Sequence, residues 1–218
     1  MALKNIIFDL GGVIFHIDHS RTQRAFEELG LTGIKEQFSH SRQNTLFDDL
    51  ETGRITPLDF YDGIRAKTTH GLSDAVIGGA FNSLLIGIPD ASYFDILSDV
   101  RSKYRTFLLS NNNRIHYNWI IDYMQGRWKL PSLSRFFENE YYSHLVGLRK
   151  PGSPIFKLLL DTESLLPQES IFIDDTAANN ATASELGIHT YLKNQEQNLG
   201  DVLKTIFDRD YSSLQHIT

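Results

Sequence analysis

The chain of 218 residues contains no cysteine. That excludes disulfides, thiolate nucleophiles and Cys-ligated zinc, and the expected setting is cytoplasmic. Long apolar runs are missing as well: no stretch reaches the roughly 18 residues a membrane span requires. Met1 to Gly12 has no basic segment ahead of a long apolar one, so it reads as a strand and not as a signal peptide. Positive charge is scarce. Lys and Arg total 21 against 27 Asp and Glu, a net charge of −6, and no basic run offers a footing for nucleic acid. The eight histidines never fall at HExxH spacing. What remains is an ordinary globular composition, 41% hydrophobic and 22% charged, enough for one large domain or a core with one insertion.

Four short apolar runs read as buried strands: Asn5 to Phe8, Arg105 to Leu109, Ser170 to Ile173 and His189 to Leu192. They are continuous rather than alternating, as parallel strands covered on both faces are. Helical patterns lie between them, so the fold class expected is α/β, a parallel sheet flanked by helices. Ser153-Pro154 reads as an N-cap with proline at the first helical position, Asp90 as the cap of a helix towards Lys103, and Thr56 with Asp59 as a helix start. Gly30 and Gly187 read as helix ends. Residues 16–89 carry helical patterns and no convincing strand, too long a stretch for one βα crossover. They are expected to form an inserted helical module, leaving 1–15 and 90–207 as the core and 208–218 as a tail. Tyr117 to Phe137 is expected to hold one helix and an ordered loop, with Trp119 and Trp128 as packing residues.

Three polar clusters stand just past apolar strands: Asp9, Ser110 with Asn111, and Asp174 with Asp175. In an open parallel sheet the carboxyl ends of the strands share one edge, and ligands bind there. Residues a hundred positions apart thus become neighbours. The set suits phosphoryl transfer. An aspartate can attack phosphorus and form an acyl phosphate. A second and third carboxylate are the oxygen ligands Mg²⁺ prefers. A hydroxyl holds a phosphate oxygen, and a lysine, Lys150 in Gly147 to Pro154, neutralises the transferring group. Each residue also has an ordinary reading alone: Asp9 as a turn cap, Asp174-Asp175 as helix N-terminal charge, Ser110 as an N-cap, Lys150 as a solvated lysine. The order and context of the four together favour the chemical reading.

In that order and context the residues resemble the four motifs of the haloacid dehalogenase superfamily: Phe8-Asp9-Leu10-Gly11-Gly12-Val13, Leu109-Ser110-Asn111, Arg149-Lys150-Pro151, and Phe172-Ile173-Asp174-Asp175-Thr176 through Asn179. The resemblance runs from Asn5 to about Ile206 and is closest to sugar-phosphate phosphatases with a small helical cap. It implies a Rossmann-like core with a helical cap inserted after the first motif, and a Mg²⁺-dependent phosphatase acting through an aspartyl phosphate. Carried over, Asp9 is nucleophile and metal ligand, the Gly11 carbonyl and Asp175 are metal ligands with Asp174 beside them, and Ser110, Asn111 and Lys150 bind phosphate. Asn179 supports the acidic loop. In capped members the loop equivalent to Glu51 to Thr56 reads the substrate, which points to Arg54; its ordinary reading is a solvated loop arginine. One position departs from the pattern. Most family phosphatases carry an acid–base aspartate two residues after the nucleophile, and here that residue is Gly11. Losing general acid–base help costs about 10² to 10⁴ in rate, unless water, a cap residue or His16 substitutes. The leading expectation is therefore a phosphatase for a small phosphorylated metabolite, with neither nucleic acid nor membrane as partner. The alternative is a catalytically weakened relative that binds a phosphometabolite or a protein. A halide-releasing hydrolase would not need the acidic pair, and a phospho-receiver domain would lack the insertion.

Overall fold

Alternation along the first strand organises the molecule. In β1 (Asn5–Phe8), Ile6 and Phe8 face one side and Ile7 the other, and all three are fully buried. In the computed structural model, which describes residues 2–31, 45–68 and 71–208, β1 lies at the centre of a five-stranded sheet. β4 (Arg105–Ser110) and then β5 (Asn139–Tyr142) lie on one side; β6 (Ser170–Asp174) and then β7 (His189–Leu192) lie on the other. All four pairings are parallel. One face buries Ile6, Phe8, Leu108 and Ile173 under α5 (Ser92–Lys103), α6 (Arg114–Tyr123) and α10 (Leu199–Phe207). The other buries Ile7, Phe107, Leu109 and Phe172 under α8 (Ser153–Glu163) and α9 (Ala177–Glu185). Two-sided burial is why these strands read as unbroken apolar runs.

Between β1 and β4 stand α1 (His19–Glu28), α2 (Thr45–Glu51), α3 (Pro57–Arg65) and α4 (Asp74–Asn82). They gather an apolar cluster of their own around Phe26, Phe47, Leu50, Phe60, Ile77 and Phe81. Phe60 and Phe81 lie 4.8 Å apart between ring centroids. Thr56 and Asp59 form a reciprocal capping box at the start of α3, satisfying two helix-end donors at once. Part of the expected helical module, residues 32–44 and 69–70, lies outside the described residues, as does the tail beyond Asp208.

Several expectations need correction. The segment read as strand-free holds two short strands at its ends, β2 (His16–Ile17) and β3 (Leu85–Gly87), paired antiparallel with each other. Strands this short leave no periodicity to detect. β5 went unread because its first residues, Asn139 and Glu140, are polar and not buried at the sheet edge. Ser153 is the first helical residue of α8 and not its N-cap; Gly152 stands there, without a side-chain cap. Asp90 does accept from the Ser92 amide at 2.8 Å, ahead of α5. Both tryptophans pack against the core: Trp119 stacks on Tyr123 and Trp128 meets Phe94 edge-on. The stretch after α6 continues as one π-helical turn, Met124–Trp128, before an irregular connection.

Candidate active site

β1, β4 and β6 run parallel to the same edge, Phe8 paired to both Leu108 and Ile173, with β4 ending two residues farther on at Ser110 and β6 one farther on at Asp174. The next residues therefore emerge at one edge of the sheet. Asp9 continues the ladder, its amide donating to the Ile173 carbonyl at 2.9 Å. The chain then turns back sharply. The amides of Ile14 and Phe15 both donate to the Leu10 carbonyl, and Gly12 sits at φ +72°. A Cβ on Gly12 would lie 2.0 Å from Asp175 Oδ2. Only glycine meets both conditions, the left-handed backbone and the close approach.

Lys150 is the hub. Its side chain is 1% exposed, and its ammonium lies 2.8 Å from Asp9 Oδ1 and 2.7 Å from Asp174 Oδ2. Burial pulls its pKa down, but the carboxylates of Asp174 and Asp9 pull harder, and it ends above the ordinary lysine value. Burial raises Asp9, Lys150 opposes, and Asp174 and Asp175 reinforce, leaving Asp9 at about 8. Asp174 is fully engaged by protein donors. The Thr176 amide and the Asn179 side chain serve Oδ1, while Lys150 and Asn179 serve Oδ2. Asn180 holds the Asp174 carbonyl. Asp9, Asp174 and Asp175 each offer one oxygen within 4.8 Å of the others.

Two loops keep Lys150 in place. Asn111 pairs with its backbone in both directions, its amide donating to the Lys150 carbonyl at 2.8 Å and its oxygen accepting from the Lys150 N–H at 2.9 Å. Ser143, just past β5, makes the same two-way contact with the Asn112 backbone. Ser110 closes β4 and is buried, its hydroxyl only weakly held by the Asn111 carbonyl at 3.4 Å.

A family model for haloacid dehalogenase-like hydrolases matches residues 3–187. The chain belongs to this family. It is 29% identical over 194 residues to the D-ribitol-5-phosphate phosphatase of Bacteroides thetaiotaomicron, covering 87% of this chain and 91% of that one. A haloacid dehalogenase family enzyme of Bacteroides thetaiotaomicron, crystallised with magnesium and inorganic phosphate, superposes with a TM-score of 0.86 at 34% identity, over 93% of this chain and 99% of that one. A haloacid dehalogenase-like hydrolase from Porphyromonas gingivalis gives 0.85 at 32% identity, over 96% and 100%.

Within this haloacid dehalogenase-like framework, three residues sit differently from what their sequence position implies. Gly11 has no positive φ, and the space a side chain would enter holds Ile17, whose Cδ1 would lie 3.1 Å from a Cβ. Arg54 is drawn back onto its own helical unit, paired with Asp48 and, at 2.5 Å, with Asp49. Asn111 spends its amide on the Lys150 backbone. His16 lies on β2, lowered in pKa by burial and by Lys193, and Asp18 caps α1.

Two charged residues were given no role on the sequence alone. Arg149 reaches α2, 3.0 Å from Asp48 and 2.6 Å from Glu51, tying the helical unit to the loop of Lys150. Lys193, 1% exposed, ends β7 and donates to the Gly12 carbonyl. Lys193 satisfied the same rule that picked out Asp9, a polar residue just past an apolar strand. A cleft of about 540 Å³ lies at the other end of the strands, lined by Lys4, Arg101, Lys103, Arg105 and Glu138. It shares no residue with the carboxylate cluster.

Proposed function

We propose that the protein is a Mg²⁺-dependent phosphatase that hydrolyses small phosphate monoesters, of the sugar- or alditol-phosphate type, through an aspartyl phosphate on Asp9. The observation that carries this is the Lys150 ammonium bridging Asp9 and Asp174, with one oxygen each of Asp9, Asp174 and Asp175 within 4.8 Å of one another. The donor set fits magnesium: three hard carboxylate oxygens lie close together, and their crowding, with burial, lifts Asp9 towards protonation. A divalent cation relieves that crowding. Asp9, Asp175 and the Gly11 carbonyl would hold it directly. Asp174, with its oxygens already engaged, positions Lys150 and acts on the ion through water.

When bound, the cation offsets the negative charge of the phosphate group. Asp9 attacks phosphorus; the ester P–O bond breaks, the alkoxide leaves and takes a proton from water, and an acyl phosphate forms on the carboxylate. Water then attacks phosphorus, releases inorganic phosphate and restores Asp9. Ser110 and Lys150 hold the phosphate oxygens, and Lys150 stabilises the charge that builds on them. Asn111 serves by fixing the Lys150 loop. The similarity to a ribitol-phosphate phosphatase supports a polyol or sugar leaving group. α1 to α4 serve as the cap over this edge.

The decisive experiment is turnover of a panel of phosphate monoesters with Mg²⁺ and with excess chelator. Full activity in chelator would refute the role of the acidic cluster. No turnover of any ester, with phosphate still bound, would favour the second reading, a weakened relative that binds a phosphometabolite. Ile17 in the place of an acid–base side chain supports that reading.

A further inference from the structure

We propose that Lys193 is a positioning residue for the metal centre, a buried staple that sets the distance between the Gly11-Gly12 turn and the Asp174-Asp175 loop. The inference rests on the magnesium reading above. Lys193 stands one residue beyond β7, and its two ends grip different loops. Its backbone amide donates to the Asp174 carbonyl at 3.0 Å, extending the β6–β7 ladder. Its ammonium crosses under β6 to the Gly12 carbonyl at 2.9 Å and also meets the Asn194 carbonyl at 3.1 Å.

A fully buried lysine is costly unless its charge is well solvated by the protein. Here two of its acceptors are main-chain carbonyls, which are fixed in place by the turn and strand that carry them. The Gly12 turn is the one against which Asp175 rests, with no room for a methyl group. Pulling on the Gly12 carbonyl therefore fixes the peptide that follows the Gly11 carbonyl, and it does so relative to Asp175. Loss of the ammonium frees the left-handed turn to relax, and the two sets of ligands drift apart. The ammonium is spent on the Gly12 and Asn194 carbonyls, so its effect falls on the turn that carries the metal ligands.

The test is direct calorimetric titration of the full chain with Mg²⁺, for wild type, Lys193→Met and Lys193→Gln. Residues that orient metal ligands typically contribute about 10- to 100-fold in affinity. Lys193→Met is expected to lose that much while keeping its circular dichroism spectrum and, at saturating Mg²⁺, its KM for the ester. Lys193→Gln, which retains one long donor, is expected to fall between. Unchanged Mg²⁺ affinity in a folded Lys193→Met overturns the inference while leaving the magnesium reading intact. If Lys193→Met does not fold, unchanged affinity in Lys193→Gln overturns it equally. Failure of the wild type to bind Mg²⁺ sinks the parent reading instead.

Discussion

At position 11 the missing side chain shapes the chemistry as much as the residues present. An acid there would protonate the leaving oxygen, and Ile17 instead presents a methyl group to the space. Protonation matters most for a poor leaving group such as a sugar alkoxide and least for nitrophenolate. The wild type is expected to hydrolyse p-nitrophenyl phosphate better, relative to sugar phosphates, than a family member with the acid does. The backbone at Gly11 accepts aspartate, since its φ is not positive, but Ile17 must yield. Gly11→Asp with Ile17→Val should narrow the gap between the two substrate types, and steady-state rates on both measure it. Equal or wider discrimination in the folded double variant would place the proton source elsewhere. For the nucleophile the expectation is simpler: Asp9→Asn keeps the shape and drops turnover to background, and beryllofluoride binds only the wild type. The gathering of Asp9, Ser110 and the acidic pair at one edge was legible because each closes or follows a buried strand; Lys150 follows no strand and stood out only by its Arg-Lys-Pro context. Arg54 was legible as a loop arginine but not as a paired one. Its partners Asp48 and Asp49 lie on the preceding turn of helix, where only the folded loop shows which way the guanidinium swings.

Among the elements, α6 carries a contact that responds to pH. His116 accepts from or donates to Asn113 at 2.9 Å and meets the Phe81 carbonyl of α4 at 3.2 Å. The carbonyl is an acceptor only, so Nε2 carries the proton and Nδ1 accepts from the Asn113 amide. Burial holds this histidine down to about 3, from an ordinary 6.5. The folded form keeps the ring neutral and the unfolded chain does not. Its contribution is thus fully present above pH 6.5 and is lost as pH falls from 6.5 towards 3, at about 1.4 kcal/mol per pH unit. Denaturant unfolding at a series of pH values should show that acid loss, and His116→Gln should flatten it. A wild-type profile level from neutrality down to about pH 4 would contradict the buried neutral ring. The central strands and most helix ends were readable because burial on two faces and left-handed glycines, Gly30 and Gly187, leave strong local marks. The edge strand β5 and the β2–β3 ribbon were not, since β5 opens on polar residues that are not buried and β2 and β3 are too short to show a period.

For the molecule as a whole, the cation is expected to act as a stabiliser as well as a catalyst. Three neighbouring carboxylates, two of them paired with one lysine, leave excess negative charge at this edge of the sheet. Mg²⁺ at about 100 times its Kd should add about 2.7 kcal/mol to folding, which for a domain of this size raises Tm by roughly 5–10 °C. Scanning calorimetry with and without Mg²⁺ reads the shift, and Asp175→Asn should abolish it without lowering the metal-free Tm. A shift of the same size in the variant would mean that the ion binds elsewhere. Gly12→Ala makes the complementary case. A left-handed alanine costs about 1–2 kcal/mol, and its methyl group displaces the Asp175 carboxylate, so both the metal-free Tm and the Mg²⁺ shift should fall.

The two-stranded ribbon of β2 and β3 joins the point where the chain leaves the core to the point where it returns. His16 pairs with Gly87, and the Asp18 amide donates to the Leu84 carbonyl at 2.8 Å. Everything between these residues is therefore a closed excursion from the sheet. Its length can change with little entropic effect on the rest, since doubling a loop already shut costs only about 0.6 kcal/mol. A helical unit from a relative, spliced at this ribbon, has to match the core where Arg149 meets α2, where Gly53 passes against the His144 carbonyl, and where Ile115 and His116 meet α4. Under the proposed function, exchanging this unit is expected to change the preferred ester while the carboxylates and Lys150 stay with the sheet, and turnover of an ester panel by such a chimera measures it.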